Sequence, residues 1–571
     1  MEPSSIDNNR KLLNEARGKG KGALVGAFVK LSGPGWLQSA ITLGGGSLAT
    51  ALYLGVLGGP AFLWLQPIAM IMGVIMLSAI GYVTLSTGEK PFAAINKHVN
   101  PLLGWSWIIA TLMANCVWSL PQFNLATAAV RQNLMPGIFG EGVMSANLAQ
   151  TIICLVISAI AVTFVWSYDS GRKGVKVFDI LLKVVVGMVV ISFFGVVVKL
   201  ATTGDGLPWD QIRSGFVPNL SLLSHPASTF NAELGAVTEG FRAYWSDLII
   251  SQQRDVMIGA AATAVGINMT FLLPYSMLKR GWDKDFRGLA IFDLSTGLFI
   301  PFILVTGCIV IVASSQFHAK PAPGLLGEKN AQGELIQPAP GLLGQYKGLA
   351  TKRLAAEFGA ASIAALSTEE LDQKIASLPL ADRRMSAMLV KRDAGQLAQS
   401  LAPLTGSTVA NMIFGFGVAG MAVSTIIVLM LINGFVVCEI FNKPMQGLTY
   451  KLGAMMPLIG IIGPFVWGQS KTRFWLAVPT SVFAMVLLPI AYFSFFFLMN
   501  QKSLLKEHMP TGGKRVAWNV CMLVAASLAS FGSFWSLWSK LQWTGVWILV
   551  GFVTLAILVH FVRKNKASTE N

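Results

Sequence analysis

Charge is scarce in this chain. Asp, Glu, Lys and Arg supply 12% of its 571 residues, against about 25% in a soluble domain. So little polar surface cannot cover a water-soluble globule of this length. Cysteine is rarer still. Cys116, Cys154, Cys308, Cys438 and Cys521 all fall in apolar runs and none forms a CxxC pair, which argues against a disulfide framework or a zinc site and leaves buried small side chains as the expectation. The histidines (His98, His225, His318, His508 and His560) keep no nucleophile–base or metal-ligand spacing. No catalytic residue, metal set or cofactor is therefore expected, and the chain does not read as an enzyme. The ten-residue apolar/polar alternation of an outer-membrane barrel is also missing. The first 22 residues are polar and basic, so no cleavable signal peptide is expected.

What remains is apolar. Hydrophobic residues make up 54% of the chain and the mean hydropathy is +0.61. Lipid offers no partner to a free N–H or C=O, so a spanning segment must be a helix of about 20 apolar residues. The 57 glycines and 16 tryptophans suit this reading, since small residues let membrane helices approach and Trp gathers at interfaces. Twelve spans are expected, over 32–57, 60–86, 103–134, 148–167, 177–200, 256–278, 289–315, 408–438, 453–468, 475–499, 516–538 and 542–562. The fold class is thus all-α integral membrane.

The formal charge is +16, but it is spread between the apolar runs and forms no single basic face, so nucleic acid is not an expected partner. Lys and Arg before span one and after spans two, four, six, eight, ten and twelve mark every second connection as basic. Lys471 and Arg473 are among the few in the opposite short loops. By the positive-inside rule both termini are expected in the cytoplasm of a multi-pass cell-membrane protein. The expected divisions are a tail (1–31), spans one to seven (32–315), an outer insert (316–407), spans eight to ten (408–499), two C-terminal spans (500–562) and a tail (563–571). The outer loop 201–255, with Pro208, Pro218 and Pro226, is expected to form a structured cap. The insert opens with a direct repeat, Pro321–Gly327 and Pro338–Gly344. Two helices are expected after it, one from a capping box at Ser367 and Glu370, the other after Asp382.

Two spans carry breakers at matching places in two five-span halves, which in inverted-repeat transporters points to the binding site. Span one holds Gly44, Gly45 and Gly46 in a row, followed by Ser47. Each glycine costs about 1 kcal/mol in a helix interior, and Ser47 is suited to cap a new helix. Span six holds Asn268, Met269 and Thr270 at mid-span and Pro274, which removes an N–H from the ladder. The bland reading is close packing plus a proline kink.

Span one, with Gly33-Pro34-Gly35 ahead of the glycine run, resembles the opening helix of the NRAMP family of divalent-metal transporters. The likeness continues through Ser119-Leu-Pro-Gln122 with Ala126-Thr127-Ala128, Phe286 to Asp293 and on to Phe317-His318, Asn433 to Phe441, and Leu487-Leu-Pro489 with Asn500-Gln-Lys-Ser-Leu. It implies a LeuT-type fold, two inverted five-helix repeats plus two C-terminal helices. The insert departs from the usual family pattern.

The resemblance also implies what has changed. The family's metal site uses an Asp and an Asn in the first helix, a Met in the sixth and often a Gln in the tenth; the positions here are Gly44, Ser47, Asn268 (or Met269, if the alignment slips by one) and Leu487. Its proton-relay acids align with Leu120 and Phe123, and its sixth-helix His with Thr270. Other in-span ionisable residues make poor relays: Asp179 and Lys183 are spaced to pair, and Asp293 and Glu439 lie near span ends. Free N–H groups at a glycine-rich helix start suit an anion, with Ser47, Gln122, Asn268 and Thr270 as neutral partners. Gly44, Gly45, Gly46, Ser47, Gln122, Asn268, Met269 and Thr270 are the candidate substrate-binding residues. The substrate expected is a small anion such as bicarbonate, a small carboxylate, or a neutral organic solute. The alternatives are a hydrated Mg2+ or Mn2+, or a solute sensor that transports nothing. The coupling ion and oligomeric state stay open.

Overall fold

The computed structural model describes residues 3–140, 142–169, 172–202, 206–330, 332–338, 340–392, 396, 407–466 and 477–569. Among these, nine helices are long and apolar enough to cross a membrane, and two bent pairs raise the number to eleven. The last helix, Gly512–Thr569, turns sharply at Gln542 (φ 50°, ψ −130°), so it comprises two spans and the twelve expected from sequence are accounted for. Large apolar side chains such as Ile191, Leu448 and Val562 face outward. On a protein in water this would be a liability; on a membrane protein it is the lipid-facing surface. Cys521 lies on that exposed surface, unlike Cys154, Cys308 and Cys438, which are buried.

Spans three and eight pack along each other, with span nine against both and span five against span eight. The broken spans one and six lie among spans two, seven and ten. Span one is Pro34–Thr42 followed by a second helix from Gly45, and the two halves meet at 57°. Span six is longer than expected. Its first half, Glu239–Ala264, takes in residues assigned from sequence to the outer loop, and its second half is Ile267–Lys279. The residues ahead of it do form a cap of short helices, such as Trp209–Ser214 and Asn231–Ala236. Residues 3–31, expected as a plain tail, form the helices Pro3–Lys19 and Lys21–Leu31.

The insert has its own apolar core, including Leu342, Tyr346, Leu354, Ile375 and Val390. The capping box at Ser367 and Glu370 starts the helix Thr368–Ser377. The direct repeat has no structural counterpart: its first copy lies in turns, while the second runs into a helix that sequence missed, Pro340–Phe358. Asp382 falls inside the helix Leu380–Met388 instead of preceding it. It is fully buried, where it accepts from Arg353 Nε at 2.8 Å and Trp245 Nε1 at 2.7 Å. Trp245 belongs to span six, and Arg353 also stacks on Phe241 of the same helix, 3.2 Å from its ring centroid. The Arg384 guanidinium adds a forked pair with Glu233 at 2.6 to 3.1 Å. The insert is thus fastened to the first half of span six and to the cap ahead of it.

A candidate solute site at two broken helices

The start of span one explains its Gly-Pro-Gly sequence. Pro34 is the first helical residue, where a missing N–H costs nothing. The N–H groups on either side, of Gly33 and Gly35, donate to the buried carboxylate of Asp293 at 3.1 and 2.6 Å, and the Ser32 hydroxyl donates to the same group. A side chain at position 35 would run into the Asp293 backbone carbonyl. Asp293, which sequence gave no role beyond that of a poor relay, is the anchor of the first half-helix. Glu439 takes Lys90 as its partner at 2.8 Å. The Asp179 side chain lies outside the described residues; Lys183 donates to Ser32 O at 3.1 Å.

The first half-helix ends where the glycine run begins. Leu43 N bonds back to Ser39 O at 2.9 Å, and the new helix closes its first bond from Leu48 N to Gly44 O at 3.1 Å. The N–H groups of Gly45, Gly46 and Ser47 therefore have no acceptor within their helix. Gln122 of span three takes the first of them, its Oε1 accepting from Gly45 N at 2.9 Å. Ser47 is not the cap expected of it. Gly44 holds the capping position with no side chain to offer, and the Ser47 hydroxyl reaches back to Thr42 O.

Span six breaks at Val265 and Gly266, two turns before Pro274, which sits inside the second half-helix. The two breaks are tied together. Thr42 Oγ1 lies 2.9 Å from Thr263 O and 2.7 Å from Ala264 O, the carbonyls left over where the first half of span six ends. Asn268 Nδ2 donates to Asn115 Oδ1 at 2.9 Å, and Asn115 Nδ2 to Asn433 Oδ1 at 2.7 Å. This buried amide chain runs from span six through span three to span eight.

Between the breaks lies a cavity of about 60 Å³, room for several waters or a small solute. Gly44, Gly46, Ser47, Gln122, Asn268 and Met269 line it, together with Thr42, Trp118, Thr263 and Thr425. Gly45 is not in its wall and contributes through its bond to Gln122. Thr270 faces elsewhere, accepting from Trp107 Nε1 at 2.9 Å. Span ten meets the cavity through Ala484 instead of Leu487. Sequence reasoning missed Thr42, Thr263 and Thr425, and also Asn115 and Asn433 behind the wall. Their signal, a neutral polar residue inside an apolar run, is weaker than a charge in the same place. Among the described residues, none that lines the cavity is ionisable, and no three His, Cys, Asp or Glu side chains gather as a metal would need. Of the histidines, His318 bridges Val56 O at 2.9 Å and Thr229 Oγ1 at 2.7 Å; burial pushes its pKa down.

Two interrupted helices that face each other over a cavity of mixed apolar and neutral polar lining, each opening one half of the fold, are the build of a membrane transporter. The chain belongs to the NRAMP family: the model described as natural resistance-associated macrophage protein-like matches residues 35–377 and 383–535. Among solved structures it is similar to a histidine-to-alanine mutant of the manganese transporter of Eremococcus coleocola. The identity is 12% and the TM-score 0.57, with 93% of each chain covered. It is also similar to that transporter in complex with an aromatic bis-isothiourea substituted compound, at 14% identity and a TM-score of 0.55, with 95% of each chain covered. No curated protein matches it in sequence. The fold is the LeuT type, two inverted five-span repeats with two C-terminal spans.

Proposed function

We propose that this NRAMP-family transporter carries a small carboxylate-bearing solute, for which a short zwitterionic amino acid is the best fit. The observation that carries the reading is a cavity wall with polarised ends and no ionisable side chain among the described residues. The helix start supplies the N–H groups of Gly46 and Ser47 and positive potential for a carboxylate. The helix ends at Thr42 and at Thr263–Ala264 supply negative potential for an ammonium group. A net-neutral solute crosses such a site without a buried unpaired charge. A substrate panel in proteoliposomes tests this, with labelled glycine and alanine beside bicarbonate, Mn2+ and Mg2+. Saturable uptake of an amino acid or carboxylate is expected. Uptake of Mn2+ alone would overturn the reading, and binding without uptake would make the protein a sensor.

A second reading, divalent-metal transport, is favoured by the Met269 side chain in the cavity wall and by the family. A thioether selects soft metals, yet a dehydrated divalent ion also needs anionic or numerous oxygen ligands. Isothermal titration with Mn2+ should accordingly detect no micromolar site; finding one that Met269→Ala removes would establish the metal reading.

The alternating basic connections support cytoplasmic termini in a cell membrane, with the insert outside. Ser367 is exposed on the insert. A Ser367→Cys variant should react with an impermeant maleimide on intact cells; labelling only after permeabilisation would invert this topology.

A further inference from the structure

Trp118 lies one helical turn before Gln122 in span three, within the helix Pro101–Ala129, so the two side chains share a face. Gln122 holds the break of span one through the Gly45 N–H. Trp118 reaches the other break. A Cβ at position 266 would stand 2.8 Å from its Cη2 and 3.0 Å from its Cζ3, so the far edge of the indole rests on the backbone where span six is interrupted. Gly266 has φ −83° and ψ 163°, a conformation open to any residue. What a larger residue would lack is room. The indole edge takes that room together with Asn268 Oδ1, which is also 2.8 Å from the same Cβ position.

Ile41, Pro121, Leu429 and Ala484 supply much of the apolar wall around it, and Trp118 is the largest side chain lining the cavity among the described residues. The indole is packed against the hydrophobic core. A close-packed wall does not swell to admit an extra group, because overfilling it forces side chains and backbone out of place. The volume of about 60 Å³ corresponds to about four to six waters, which matches the non-hydrogen atoms of glycine or alanine. Leucine and phenylalanine exceed it. The indole itself is bulkier than either of their side chains, so its removal would make room for both.

We propose that Trp118 sets the size limit of the solute. Wedged between span three and the break of span six, its indole admits glycine and alanine and excludes amino acids with larger side chains. This rests on the amino-acid reading of the cavity and names the residue that decides which amino acids enter. Gly266 is the counterpart that lets the indole stand where it does.

The test is uptake of labelled glycine, alanine, leucine and phenylalanine into proteoliposomes by the wild-type full chain and by Trp118→Ala. Wild type should carry glycine and alanine saturably and exclude the other two. Trp118→Ala should raise leucine uptake relative to glycine by about tenfold or more, the discrimination that one methylene gives in an apolar pocket. Trp118→Phe should shift the ratio in the same direction by less, and it decides if the alanine variant does not fold. A gain of leucine uptake is not imitated by a damaged protein. A leucine-to-glycine ratio unchanged in the variants, or leucine carried by wild type as well as glycine, would overturn the size limit and leave the amino-acid reading standing. Uptake of no amino acid by wild type would overturn both.

Discussion

Gly44→Asp is expected to abolish uptake of the native solute. The substituted Cβ would stand 2.5 Å from Thr425 Oγ1 and 3.1 Å from Ile41 O, and its carboxylate would enter a wall with no ionisable residue among those described. Two like charges 4 Å apart at an effective dielectric of 20 repel by about 4 kcal/mol, about a thousandfold in affinity for a bound carboxylate. Gly44→Ala separates charge from bulk, since it brings the same Cβ without the charge. The alanine variant should retain measurable transport at reduced rate and the aspartate variant none. If Gly44→Asp transports the native solute as well as wild type, the solute does not sit at this break. The same variant is also the direct test of metal binding, because it restores the carboxylate that the family resemblance assigns to this position.

The second large effect is expected from Asp293→Ala. Its carboxylate receives the Ser32 hydroxyl and the N–H groups of Gly33 and Gly35, all buried. Alanine leaves these donors unsatisfied at about 1 to 3 kcal/mol each, some of it recovered if water enters. A net loss of about 3 to 5 kcal/mol is expected, read as a fall in the thermal midpoint, together with loss of transport as the first half-helix loses its anchor. Asp293→Asn should be intermediate, because its NH2 group would face one of the donors. A midpoint unchanged by Asp293→Ala would show that the carboxylate contributes nothing to the start of span one.

Most of the fold was legible because lipid restricts backbone to helix and makes each crossing an apolar run. The break in span one was legible because three adjacent glycines are costly in a helix. The break in span six was expected too, but its position was not legible. It falls at Gly266, a lone glycine in an apolar run, while Pro274 further on was the more visible breaker. A proline in a membrane helix need only forgo one hydrogen bond and often stays within the helix, as Pro274 does. That displacement also misplaced Thr270, because which way a side chain points is set by where its half-helix begins. Ser47 was misread for a related reason: Gly44 starts the helix three residues earlier, so Ser47 enters as a helical residue with its hydroxyl turned back. Thr42 and Thr425 left almost no trace in sequence. Threonine is common in membrane helices, and only the meeting of spans one, six and eight gives these two a role.

The first half of span six has 26 residues and is therefore roughly 39 Å long at 1.5 Å per residue. Its first end is held through Trp245 and Phe241 by Asp382 and Arg353 of the insert, and its other end carries the Thr263 and Ala264 carbonyls that accept from Thr42. One unbroken helix joins the insert to a wall of the cavity, and a shift of the insert is expected to be felt at that wall. An antibody fragment raised against the insert would thus act on transport without coming near the solute.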